Sequence, residues 1–268
     1  MFMKLLFRTA LFFAGLIWVI PAGIAQTEKN PLQGVWKYEV DDMEGMAIMS
    51  SSHFIWILTP KNRACFGNPS ESEKAQAIES LFAQSGTWKL ESSNRARATY
   101  VYSSTPSDSG KSVRWDFKIE GDLLTSWILG PDGQRVNQIK ARKLGEWNAS
   151  GETSFHNGVW EYLSLKGIYL HSGSYGGWFI INKPIETSGT VQSRANNFDA
   201  VNVAIVVGTR RQDDRYIWNV VHAADQRMEG ESYITTGNSM QLPKSALWFV
   251  DNNGKMVGEA IRTIRIAQ

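Results

Sequence analysis

The side chains that could do chemistry are few, and their spacing does not assemble them into a site. Four histidines occur, His53, His156, His171 and His222, and no two have the close spacing of a zinc site. His171 follows Tyr169 by two residues, so in an extended strand both rings leave from one face, which would suit acid–base work. An ordinary strand histidine gives the same pattern. Cys65 is the single cysteine and has no matched Cys-His-Asn set, so it reads as a free loop thiol. Asp41-Asp42 and Asp213-Asp214 lie in turn-like surroundings and read as solvated charge. There is no Gly-rich phosphate loop and no Gly-x-Ser-x-Gly elbow, and Gly173-Ser174-Tyr175-Gly176-Gly177 fits a hairpin turn. No catalytic residue, metal site or cofactor is assigned.

Binding is better served. The chain holds 11 tryptophans, a side chain that offers a large apolar surface and one N–H donor to orient a ligand. Trp56, Trp115 and Trp127 in the first half, and Trp178, Trp218 and Trp248 in the second, are the candidates to line apolar cavities. Tyr169 and His171 join them as candidate ligand contacts in the second half. Core packing is the alternative reading of each.

What positions these residues is a duplication. Gly34-Val35-Trp36-Lys37-Tyr38 returns as Gly158-Val159-Trp160-Glu161-Tyr162, 124 positions later. Gly45 to Trp56 matches Gly167 to Trp178 at an offset of 122, and Trp127 matches Trp248 at 121. Ser85-Gly86-Thr87 recurs as Ser188-Gly189-Thr190 at only 103, which implies an insert in the first copy. Ser70 with Glu73 forms a capping-box pattern, and Ala75, Ile78, Leu81 and Phe82 share one helical face, so a helix is expected over about 70–84. The second copy is expected to lack it, carrying Lys183-Pro184-Ile185-Glu186 there instead.

Everything else punctuates as short strands. Trp115, Phe117 and Ile119 alternate with Arg114, Asp116, Lys118 and Glu120, the period-two pattern of a half-buried strand. Gly121-Asp122 and Pro131-Asp132-Gly133 are tight-turn chemistry. About eight antiparallel strands per copy suggest an up-and-down barrel, which leaves no open edge. The expected organisation is all-β: barrel 1 over 31–144, a polar linker over 145–156, and barrel 2 over 157–268.

Gly34-Val35-Trp36, opening the first strand, resembles the Gly-x-Trp signature of lipocalin or calycin barrels. The stretch Ser85-Gly86-Thr87-Trp88, with Ser104-Thr105-Pro106, Gly110, Phe117 and Gly121-Asp122-Leu123-Leu124, is similar to a bacterial branch of lipocalin-like domains of unsettled function. The resemblance covers most of 32–144 and, more weakly, 157–267. It implies two tandem lipocalin-like antiparallel barrels, the first with one inserted helix. It also implies that the signature Trp packs beside a basic residue of the last strand, for which Arg142 or Lys143 and Arg262 or Arg265 are the candidates.

The N-terminus reads as a signal peptide over 1–25. Lys4 and Arg8 precede an apolar run, Leu11 to Ile20, and Gly23-Ile24-Ala25 supplies small residues for cleavage. The chain is therefore expected in the periplasm or outside the cell, with no membrane span after processing. Loss of Lys4 and Arg8 leaves 26 Lys and Arg against 26 Asp and Glu. A neutral chain has no global field for nucleic acid. The leading expectation is a protein that binds or carries a small, largely apolar molecule. Its rivals are a calycin-type isomerase or cyclase, and a structural or interaction protein with filled barrels. The helix raises one further expectation: barrel 1 covered or gated by it, and barrel 2, with Gly173, Gly176 and Gly177, more open. Packing of that helix between the two domains is the alternative.

Overall fold

The computed structural model of the protein describes residues 30–63, 67–147, 157–210, 215–241, 244–251 and 255–267. The expected signal peptide and positions 148–156 of the expected linker lie outside the described residues.

The first barrel is built from β1 (Gly34–Val40), β2 (Met43–Met49), β3 (His53–Pro60), β4 (Phe82–Ser92), β5 (Arg95–Ser103), β6 (Ser112–Glu120), β7 (Leu123–Leu129) and β8 (Arg135–Gly145). The second is built from β9 (Gly158–Tyr162), β10 (Lys166–Ser172), β11 (Tyr175–Ile181), β12 (Val201–Arg210), β13 (Arg215–Ala223), β14 (Ser232–Gln241), β15 (Lys244–Val250) and β16 (Met256–Ala267). Each strand pairs antiparallel with the next, and the last returns to the first, so both sheets close. Closure explains the repeated Gly-Val-Trp. Gly34 and Gly158 have φ of +138° and +133°, and a Cβ there would meet the carbonyl oxygens of Gly145 and Ala267 at 2.5 and 2.8 Å. Only glycine lets the first strand meet the last so closely. Beside it, Trp36 and Trp160 are fully buried. Of the four basic candidates, Lys143 and Arg265 take the place over these rings, at 5.2 and 4.8 Å from the ring centres.

Inside the barrels, the two copies exchange large for small across matching strand pairs. In barrel 1 Trp88 faces Ala98, whereas in barrel 2 Gly208 faces Trp218. Ala96 faces Trp115, whereas Tyr216 faces Thr235. A Cβ on Gly208 would lie 2.3 Å from the Trp218 ring, so this pair holds one large side chain and has room for no second. Interiors pack near crystal density, so a barrel tolerates such exchanges only in compensating pairs.

A third core joins the barrels. The inward residues of β2 and β3, such as Ala47, Phe54 and Trp56, alternate with Met46, Ile48, Ile55 and Ile57, which point out and are also buried. These pack with Ile168, Leu170, Phe179, Val203 and Ile205, the outward residues of β10 to β12. Gly177 lets Ile48 approach: a Cβ there would lie 3.0 Å from its Cδ1. Trp147, within the expected linker, is buried in this same core.

The single-helix expectation is corrected here. Both copies carry a helix in the same place, α1 (Glu71–Ser80) and α2 (Val191–Ala200). The expected capping box is present in α1, with Ser70 accepting from the Glu73 N–H. Leu81 caps the end of α1 and Phe82 opens β4, so neither is helical. In the second copy, Thr190 is the N-cap of α2, whereas Ser85-Gly86-Thr87 lies inside β4. That tripeptide match therefore pairs unlike places, and the offset of the helices is 120. The helices pack on each other, and Ile78 and Leu81 enter the shared core. Lys74 Nζ meets Asp199 Oδ2 at 2.8 Å, and Arg194 Nε meets Glu79 Oε1 at 2.9 Å. Residues 74 and 194 are equivalents, as are 79 and 199, so the contact is isologous about a pseudo-twofold axis. The helix of barrel 1 thus packs between the barrels and does not cover a mouth.

Candidate functional site

The barrel interiors are nearly full. The cavity in barrel 1 is about 40 Å³ and that in barrel 2 about 60 Å³, one or two waters' worth of space. Barrel 2, expected to be the more open, has the slightly larger cavity, but its glycines do not hollow it. Gly176 makes room for Tyr169 and His171, and Gly177 for Ile48 of the other barrel.

Of the eight expected contacts, five border these cavities. Trp56 and Trp115 line barrel 1, and Tyr169, Trp178 and Trp218 line barrel 2. Trp127 does not: it lies between the cavity-lining Ser126 and Ile128 and turns outward, where Arg135 stacks on its ring at 4.5 Å. His171 is fully buried but is not among the residues bordering the cavity. Its ring lies edge-on to Trp218, and Nδ1 is 3.1 Å from Asn157 Oδ1. Tyr169 stacks beside it, with its phenol pushed well above the ordinary value by burial. The Tyr169–His171 pair therefore reads as packing. The Trp248 side chain lies outside what the structure describes. The sequence reading missed Tyr38, Phe54 and Tyr100 in barrel 1 and Tyr162, Tyr233 and Phe249 in barrel 2, which also line the cavities. Tyr38 carried a signal, since it shares a strand face with Trp36.

The barrels differ at one donor. Trp178 Nε1 donates to Asn202 Oδ1 at 2.7 Å, and Trp218 Nε1 donates to Thr235 Oγ1 at 2.8 Å. Trp56 Nε1, the counterpart of Trp178, is buried and has no hydrogen-bond partner among the described residues. The strand register explains this. Asn202 faces Ile180 two positions along from Trp178, and the matching place in barrel 1, opposite Leu58, holds Phe82. Phe82 meets Trp56 edge to face with ring centres 5.1 Å apart, and it offers no oxygen. An indole N–H buried without an acceptor costs about 1–3 kcal/mol.

This donor lies where the barrel opens. Trp56, Ile128 and Ile139 border both the inner cavity and a larger vestibule of about 720 Å³. Val40, Leu58 and Phe82 complete its apolar wall, and Glu39, Asp41, Asn137 and Lys140 form a polar rim. The far end of the barrel is closed by fully buried Leu32, whose carbonyl accepts from Trp36 Nε1 at 2.8 Å.

A second concavity, about 290 Å³, lies between the barrels. A half-buried polar network spans the seam beside it. Arg63 donates to the carbonyls of Ala223 and Ala224 at 2.6 and 3.2 Å and pairs with Glu229. Glu229 also takes the Ala223 N–H and meets His222 Nδ1, both at 3.0 Å. His222 Nε2 is 3.4 Å from Thr59 Oγ1. Burial pushes the Glu229 carboxyl up, but the bonds from His222 and Ala223 and the Arg63 charge together hold it below its ordinary value. Among the described residues, no group of His, Cys, Asp and Glu could hold a metal ion, and no helix is long and apolar enough to cross a membrane.

No family model and no curated protein matches the chain. Among solved structures, a DNA polymerase III subunit beta sliding clamp from Bartonella birtlesii is similar over 88% of this chain and 78% of that chain. Its identity is 7% and its TM-score 0.15, too low to carry any argument about fold or function.

Proposed function

We propose that this chain is an exported, tandem lipocalin-like binding protein, which takes a small, largely apolar molecule with one hydrogen-bond acceptor at the mouth of barrel 1. The observation that carries this is the buried Trp56 N–H, left without an acceptor among the described residues at an apolar vestibule while its counterpart Trp178 is satisfied. Such a donor, surrounded by apolar walls, is what fixes the orientation of an otherwise greasy ligand. The pairing of Lys143 and Arg265 with the two signature tryptophans supports the lipocalin-like reading. The small interior volumes favour the vestibule over the barrel interior as the site of binding.

Those same volumes favour one rival, a non-enzymatic interaction scaffold with filled barrels. Native mass spectrometry of protein purified from its own organism separates the two. The binding reading expects a retained small molecule on the unaltered chain, and its loss from Phe82→Asn, which supplies the missing acceptor internally. Bare protein mass for the unaltered chain would overturn the binding reading in favour of the scaffold.

A further inference from the structure

We infer that the cleft between the barrels is a separate binding site, for a small hydroxylated carboxylate such as a sugar acid. Neither barrel contains this site alone. Arg63, with Lys74 and Ala77 of α1, comes from the first copy, and Phe198, Gln226 and Arg227 come from the second. Interfaces between domains are a favoured place for ligand pockets. The Arg63–Glu229–His222–Thr59 network fastens the two walls together, so the cleft is held open at a fixed width.

Its wall is apolar over much of its area, with Pro60, Ala77 and Phe198, and carries a small excess of positive charge. Arg63, Lys74 and Arg227 face two lining carboxylates, Glu73 and Asp225. Glu73 is occupied by the Ser70 N–H and hydroxyl, each at 2.7 Å. Lys74 gives Asp199 one bond of 2.8 Å and has three donors in all, so it can reach a ligand carboxylate without giving up its partner. Gln226 Oε1 is buried, lines the cleft and has no hydrogen-bond partner among the described residues. Oxygen and nitrogen of an amide are told apart only by their partners. A hydroxyl, which both donates and accepts, satisfies this amide in either orientation. A carboxylate toward Lys74 and a hydroxyl toward Gln226 define the class.

The pseudo-twofold axis supplies the independent argument. At an offset of 120, the equivalents of His222, Gln226 and Arg227 are Tyr102, Pro106 and Ser107. The barrels are therefore joined on the symmetric side without these groups. Joining two barrels does not require them; they are a feature of one side of the seam only.

The test uses the whole chain and three probes: D-glucuronate, acetate with the carboxylate alone, and glucose with the hydroxyls alone. Titration calorimetry and the thermal midpoint are expected to show glucuronate binding at least tenfold more tightly than either control. Lys74→Ala and Gln226→Leu are each expected to weaken it roughly tenfold, the value of one hydrogen bond to a charged or buried group. Both positions are only half-buried, so the chain should still fold, with a small loss of thermal midpoint in Lys74→Ala from the Asp199 pair. Phe82→Asn, at the barrel 1 mouth, should leave glucuronate binding unchanged, which keeps this site distinct from the other. Glucuronate binding no tighter than acetate, or equal affinity in the unaltered chain, Lys74→Ala and Gln226→Leu, would overturn the inference.

Discussion

Barrel 1 and barrel 2 have the same strand order and place a large side chain on opposite members of the same pairs. Trp88 over Ala98 becomes Gly208 under Trp218; Ala96 beside Trp115 becomes Tyr216 beside Thr235. What is held constant is volume per pair, not residue identity, as a close-packed interior requires. Another difference is one of hydrogen bonding. Where Asn202 accepts the Trp178 N–H, Phe82 stands in its place and the Trp56 N–H has no acceptor among the described residues. Exchanges that conserve volume mark the scaffold. The exchange that costs a hydrogen bond is the one on which the proposed binding site rests.

The largest expected effect is one the barrels should share. Trp36→Ala and Trp160→Ala remove fully buried rings at equivalent places. Each should cost about 3–5 kcal/mol in denaturant unfolding. A tolerated loss in one barrel alone would break the equivalence of the two closures.

Next come the exchanged pairs. Ala98→Trp in barrel 1 alone should overpack and cost about 1–3 kcal/mol. Adding Trp88→Gly, which reproduces the barrel 2 pair, should recover part of it, with a coupling of about 1–2 kcal/mol in a double-mutant cycle. Additive losses would mean the pairs do not share one volume.

The seam should show itself in pH. The Glu229 carboxyl is held below its ordinary value of 4.5 in the folded chain, the bonds from His222 and Ala223 and the Arg63 charge outweighing the opposing effect of burial. The unfolded chain therefore binds this proton more readily. The stabilisation is fully present above the ordinary value, and is lost as pH falls through the lower folded value. Urea midpoints should decline in that acid window, and Glu229→Gln should flatten the decline while costing about 1.5 kcal/mol at neutral pH. An unaltered acid profile in Glu229→Gln would place the acid sensitivity elsewhere.

The strands were legible because their apolar residues alternate, as in Trp115, Phe117 and Ile119, and because turn residues separate them. The second helix was not. The buried face of α2 includes Ser193 and Asn197, and Asn197 is buried by bonding the Glu186 backbone through both side-chain atoms, at 2.8 Å each. A polar residue satisfied in this way hides the apolar period. Trp127 was misplaced because β7 carries apolar residues on both faces: Leu124 and Ile128 point inward, Leu123 and Trp127 outward. The shared core had a readable sign. Phe54-Ile55-Trp56-Ile57-Leu58 is apolar without alternation, the pattern of a strand buried on both sides. The Trp56 donor was out of reach, since it depends on which residue stands across the β3–β4 pair.

The smallest effect is the most direct test. The indole N–H resonances of a nitrogen-15-labelled chain, titrated with 2-decanone, report an apolar chain that carries a single uncharged acceptor. The account predicts that the Trp56 signal alone moves strongly downfield as its N–H finds the carbonyl, that Trp178 stays fixed on Asn202, and that Phe82→Asn abolishes the shift. A Trp56 signal that does not move, or a Trp178 signal that moves in its place, would contradict it.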